Sequence, residues 1–115
     1  MQESEVPVFV TGGTGFIGSQ LIHRLVENGK HVRALVRSPE RAKKLLPEEN
    51  ITLIKGDLQD NAAINRGMKG CDQVYHLAGF AKLWHKNPNT FYDVNVTGLN
   101  NILNNATNTG VRKVV

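Results

Sequence analysis

Short apolar runs alternate along this chain with stretches whose apolar positions recur every three or four residues. Strand period alternating with helix period predicts strand–helix units and a parallel sheet. Val6 to Val10 reads as the first strand, with Pro7 near its start, where a missing N–H is tolerated. After the turn TGGTGFIG, Phe16, Ile17, Leu21, Ile22, Leu25 and Val26 recur at helical spacing, and Asn28-Gly29 ends that helix. His31 to Val36 is the second strand. Ser38-Pro39-Glu40 reads as an N-cap with proline at the first helical position, and a short basic helix runs to about Leu46. Ile51 to Ile54 is the third strand. Asp60 caps a third helix that runs to about Met68 and is broken by Gly70. Gln73 to Leu77 is the fourth strand. Residues 79–88, with Trp84 and His85, form a longer loop at the end of the fourth strand. From Asn89 to Asn108 the chain reads as helix, with Phe91, Val94, Asn95, Leu99, Ile102 and Leu103 on or near one face. Gly110 ends it, and Val111 to Val115 starts a fifth strand.

This pattern describes one α/β domain over residues 1–115. A parallel strand normally leads into another crossover, so the chain is expected to be the N-terminal part of a longer protein, cut within the fifth strand. Apolar residues make up 40% and charged residues 21%, which supplies enough apolar surface for a core and excludes a disordered chain. No apolar run approaches the ~20 residues of a membrane span, and MQESEVPV lacks the basic and apolar regions of a secretory signal. The single cysteine, Cys71, excludes an intrachain disulfide and a multi-cysteine metal site, and a reducing, cytoplasmic setting fits best.

Net charge is +4, and six of the 14 basic residues (Lys30, Arg33, Arg37, Arg41, Lys43 and Lys44) fall within one short stretch. Such a patch suggests an anionic partner, nucleic acid or a phosphorylated small molecule, and a solvated helix face is the other reading. Between residues 30 and 44 there is no interleaved aromatic platform on which bases would stack, so nucleic acid is not required.

The turn offers a more specific anion site. Gly12, Gly15 and Gly18 stand three residues apart, and Gly13 to Gly18 also satisfies G-x-G-x-x-G. One glycine permits the tight turn, the central one lets a pyrophosphate approach the backbone, and Gly18 lets the helix pack against the sheet. The helix head then offers unpaired N–H groups and a partial positive charge to phosphate. A strand before the turn, a helix after it and a second strand beyond are the setting of a dinucleotide fold. No Gly-Lys-Ser/Thr follows, so the turn is not a P-loop. Where an Asp or Glu would hydrogen-bond an adenosine ribose and select NAD, this chain has Arg37, whose guanidinium suits a 2′-phosphate and predicts NADP.

These motifs together resemble the N-terminal part of an extended short-chain dehydrogenase/reductase. Within that superfamily they resemble the NAD-dependent epimerase/dehydratase group and its dihydroflavonol 4-reductase-like branch. TGGTGFIG resembles the T-G-x-x-G-x-x-G turn, VRALVRSPERAKKL the second strand and helix of NADP-using members, and KGDL the family's G-D-L. YHLAG followed by DVNVTGLNNIL resembles the H-x-A-A strand end and the N-V-x-G-T-x-N helix. Gly79 stands where alanine is frequent in the family and Leu99 where threonine is. The resemblance implies a Rossmann-type doubly wound sheet of order 3-2-1-4-5. It implies coenzyme contacts from Gly12, Thr14, Gly15, Phe16, Ile17 and Gly18, and contacts to the 2′-phosphate from Arg37 and Lys44. Asp57, beside Leu58, takes the position that bonds the adenine amino group, and Leu77, Ala78 and Gly79 line the cleft. Asn95 is expected to hold the fourth helix beside the site, and His76 to be a packed strand residue.

The resemblance also implies carbonyl–alcohol chemistry by a Tyr-x-x-x-Lys pair with a serine or threonine. Four residues after Tyr75 is Gly79 and four after Tyr92 is Val96, and the serines are Ser4, Ser19 and Ser38, all early. The chain is therefore expected to hold the coenzyme half, with no catalytic residue and no metal site. The substrate of the whole protein is expected to be a small carbonyl- or hydroxyl-bearing molecule. A non-catalytic NAD(P)-sensing protein is the alternative, and the loop with Trp84, His85 and Lys86 is a candidate for the substrate mouth.

Overall fold

A computed structural model describes residues 6–77 and 96–115. The elements follow in the order β1 (Val8–Thr11), α1 (Phe16–Glu27), β2 (Val32–Val36), α2 (Pro39–Leu45), β3 (Ile51–Lys55), α3 (Asn61–Met68), β4 (Gln73–His76), α4 (Gly98–Thr109) and β5 (Lys113–Val114). The five described strands form one parallel sheet, as the alternating pattern predicts, in the order β3-β2-β1-β4-β5 that the resemblance implies.

Period-two alternation sends each strand's apolar residues to both faces of this sheet. Val8, Val10, Val32, Ala34 and Val36 pack with Ile22, Ala42 and Leu46 of the α1 and α2 layer. Phe9, Leu35 and Val74 pack with Ala63, Ile64, Met68, Ile102 and Ala106 of the α3 and α4 layer. Phe9 is fully buried at the centre of the second cluster, and truncating it to alanine would cost about 3–5 kcal/mol.

Polar groups join α3 to α4. The Asn105 side chain, 7% exposed, donates to Asn61 Oδ1 and to the Asn101 carbonyl, both at 2.8 Å, and accepts from Asn65 Nδ2 at 3.3 Å. Asn101 Nδ2 donates to the Leu58 carbonyl at 2.6 Å, so α4 is also bonded to the loop after β3. A buried amide is tolerated only when partnered in this way.

Several boundaries differ from the sequence pattern. The apolar stripe of α4 is turned: Ile102, Asn105 and Ala106 are buried, whereas Leu99 and Leu103 are exposed. β5 begins later than Val111, because the Val111 N–H is held by the Ala106 carbonyl as the helix ends. Phe91, Val94, Asn95 and the loop with Trp84 and His85 lie outside the described residues.

The order of the strands creates the place for a site. From β1 the chain moves to β2 on one side of the sheet, and it later returns from β3 to β4 on the other side. The crevice beyond the carboxyl ends of β1 and β4 is therefore the topological switch point, where open α/β sheets take ligands.

Candidate functional site

The glycine-rich turn leaves β1 at this switch point. Gly12 has φ +74°, a left-handed conformation that strains any residue with a side chain. The Gly15 N–H closes the turn on the Gly12 carbonyl at 3.2 Å, and Gly15 then serves as the N-cap of α1. At Gly15 an added Cβ would meet only the Gly12 oxygen, at 3.5 Å, so the outer side of the turn is open. At Gly18 a Cβ would lie 2.8 Å from the Gly12 carbonyl carbon and 2.9 Å from Gly13 Cα. Gly18 therefore lets the helix close tightly on its own turn.

The head of α1 is suited to an anion. No side chain caps it and its first turn holds no acidic residue. By contrast, Ser38 Oγ accepts the Arg41 N–H at 3.3 Å over α2, and Asp60 Oδ1 accepts the Ala63 N–H at 3.0 Å over α3. The partial positive charge at the start of α1 faces the crevice with no carboxylate in the helix's own first turn. Thr14 and Gly15 are exposed here, and so are Phe16 (79%) and Ile17 (70%). These last two are expected coenzyme contacts, and the buried residues of the helix are Gly18 and Ile22.

Around this turn the other predicted residues divide. Thr11 pairs with Leu35 across the sheet, so Arg37 emerges at the same carboxyl edge, where it is exposed. Lys44 is exposed on α2, one helix along. Asp57 is exposed after β3, and its Oδ1 accepts the Gln59 N–H at 2.8 Å, so this carboxylate also shapes its own loop. Leu58 is different: its side chain is buried against Gly98, where an added Cβ would lie 2.8 Å from Leu58 Cδ1. It is a packing residue that seats α4. The Leu77 N–H donates to the Thr11 carbonyl at 3.1 Å, which holds the start of the predicted cleft lining against β1. Ala78 and Gly79 lie outside the described residues.

The basic stretch is not one surface. Arg33 donates from its guanidinium to the carbonyls of Gly67 (3.1 Å) and Lys69, capping the end of α3. Lys43 lines a groove with Leu46, Pro47 and Leu53, between α2 and β3. Strand alternation points Arg33 to the opposite face from the neighbouring Val32 and Ala34. That separation of two nearby cations is visible only once strand direction is known.

Sequence reasoning takes His76 as a packed strand residue and misses the polar pair it makes across the strands. Thr11 Oγ1 and His76 Nδ1 lie 2.7 Å apart across β1 and β4. Burial holds the His76 imidazole below its ordinary pKa, which favours the neutral ring. Burial likewise pushes the Cys71 thiol up to about 11, so it is an unreactive packing residue whose Sγ donates to the Gly67 carbonyl at 3.4 Å. Among the described residues no cluster of His, Cys, Asp and Glu could hold a metal ion, and no helix is long and apolar enough to cross a membrane.

Known proteins are similar to this chain in sequence and in fold. A putative dihydroflavonol 4-reductase of Synechocystis sp. is 42% identical over 109 residues, covering 93% of this chain and 31% of the relative. The solved structure of MoeE5 in complex with UDP-glucuronic acid and NAD superposes with a TM-score of 0.78 at 30% identity, over 94% of this chain and 35% of that one. A UDP-galactose 4-epimerase structure superposes with a TM-score of 0.81 at 34% identity, over 94% of this chain and 36% of that one. The chain spans about a third of the length of the curated relatives it matches. The model of the NAD dependent epimerase/dehydratase family matches residues 8–115, and with the glycine turn at the switch point of a 3-2-1-4-5 sheet this chain belongs to that family.

Proposed function

We propose that this chain is the NADP-binding part of an oxidoreductase or epimerase acting on a small carbonyl- or hydroxyl-bearing substrate in the cytoplasm. The observation that carries the reading is the open Gly12–Gly18 turn over an uncapped helix head, with the exposed Arg37 at the same sheet edge. A coenzyme fits this cradle, because a side chain at Gly15 would occupy space the turn keeps free.

In this reading the turn residues Gly12, Thr14, Gly15, Phe16 and Ile17 hold the diphosphate, and Gly18 keeps the helix head in place. Arg37 pairs with the 2′-phosphate through its planar fork, and Lys44 adds a flexible second charge. Asp57 takes the adenine amino group and Leu58 anchors that loop, while Leu77, Ala78 and Gly79 line the cleft toward the nicotinamide. The coenzyme supplies hydride chemistry, and this part of the protein binds and orients it. The proton-transferring and substrate-binding residues are supplied by sequence following Val115, a reading supported by the length of the relatives.

Calorimetric titration of the protein with NADP and NAD tests this. Tighter binding of NADP is expected. A folded protein that ignores both coenzymes at millimolar concentration would overturn the reading, and equal affinity would remove the NADP assignment alone.

A further inference from the structure

We propose that His76 is a positioning residue for the coenzyme diphosphate and acts through Thr11. The inference rests on the coenzyme-binding reading above and deepens it. Thr11 ends β1 and is followed directly by Gly12, whose φ of +74° begins the turn. His76 ends β4 and stands opposite Thr11 in the parallel register. Their side chains meet at 2.7 Å between Oγ1 and Nδ1, and one residue on, the Leu77 N–H donates to the Thr11 carbonyl at 3.1 Å. A side-chain bond and a backbone bond thus tie the two strand ends on either side of the switch point.

The Thr11 side chain is held from turning to solvent, since the residue is only 1% exposed. A displacement of Thr11 would pass to Gly12, and from the Gly12 carbonyl to the Gly15 N–H that closes the turn. The head of α1 follows at once. Hydrogen bonds weaken steeply with misalignment, so an anion held by backbone N–H groups is sensitive to such a shift. Burial keeps the imidazole neutral, with one protonated and one bare nitrogen, and the tautomer decides whether Nδ1 accepts from the hydroxyl or donates to it. His76 thereby sets coenzyme affinity without touching the coenzyme, whereas a packing role would set stability alone.

A double-mutant cycle in the full-length protein tests this, with the Kd for NADPH and the urea unfolding midpoint measured for each variant. Thr11→Val removes the hydroxyl at nearly constant shape, and His76→Leu removes the ring nitrogen. His76→Asn returns an amide near the position of Nδ1. The expected result is a Kd raised about five- to tenfold in each of the first two variants, the worth of one buried hydrogen bond. The pair should lose no more than either single change, and His76→Asn should stay within about threefold of the unsubstituted protein. Additive losses, an unchanged Kd, or a His76→Asn variant as weak as His76→Leu would overturn the proposal. So would a lowered unfolding midpoint with unchanged Kd. If the unsubstituted protein binds no nicotinamide dinucleotide, the coenzyme-binding reading itself falls and takes this inference with it. If it binds and the variants bind equally well, only the inference about His76 falls.

Discussion

Gly18 in the first turn of α1 and Gly12 in the turn before it meet backbone to backbone, so closely that a Cβ on Gly18 would lie 2.8 Å from the Gly12 carbonyl carbon. Backbone cannot swing aside as a flexible side chain can. Gly18→Ala should therefore displace the turn, destabilise the protein by about 1–3 kcal/mol as overpacked sites do, and weaken NADP binding more than tenfold. Gly15→Ala makes the complementary test. Its Cβ would find ordinary contact at 3.5 Å, so the urea midpoint should barely change while coenzyme affinity falls. Equal effects of the two substitutions on stability would contradict the different roles assigned to these glycines.

The proposed NADP preference rests on Arg37. This residue is exposed at the carboxyl edge beside the turn. Arg37→Asp should reduce the preference for NADP over NAD by about tenfold or more, the scale of a charge-assisted hydrogen bond lost. Titration with both coenzymes reads the ratio directly. A variant that keeps the original preference removes Arg37 from the 2′-phosphate site.

Asn105, only 7% exposed, joins α3 to α4 through two hydrogen bonds, with Asn61 and Asn65, and makes a third to the Asn101 carbonyl within α4. Asn105→Ala would leave partners on Asn61, Asn65 and Asn101 in need of new ones. Asn61 is exposed and can turn to water, so the expected loss is about 1 kcal/mol for each hydrogen bond removed, the net worth of such a bond. Adding Asn61→Ala to that variant should cost less than Asn61→Ala costs in the intact protein, because the two share a bond. Chemical denaturation of the four proteins measures this.

The pH dependence of stability should carry the mark of His76. Unfolded, its imidazole takes up a proton near the ordinary value of 6.5, while burial in the folded protein delays that uptake to lower pH. Between these two values the unfolded chain binds more protons, so stability falls as pH drops through the window and is fully present above it. Urea midpoints at about pH 7.5 and about pH 5.5 should show this fall, and His76→Asn should lessen it. An equal fall in the variant would assign the effect to other groups.

Periodicity, caps and glycines settled most of this architecture in advance. Each of β1 to β4 lies within two residues of where the apolar runs put it, because a buried parallel strand needs an apolar run and little else in this chain supplies one. Ser38 and Asp60 announced their helices because side-chain caps are local and depend on neighbours only a few residues away. The glycine turn could be read for the same reason: its conformation and its closing bond lie within Gly12 to Gly18.

What tertiary structure alone decided is which distant residues share a place. Phe16 and Ile17 share the helical spacing of Ile22, yet they are exposed, because α1 buries the face that carries Gly18 and Ile22. Arg33 and Arg37 look like one patch, yet one is bonded to α3 and the other emerges at the carboxyl edge. The Thr11–His76 pair spans 65 positions of sequence and the Asn61–Asn105 bond 44, and no local rule connects residues so far apart. Local chemistry wrote the elements into the sequence. The partners across them exist only once strand order, register and helix rotation are set together by burying both faces of the sheet.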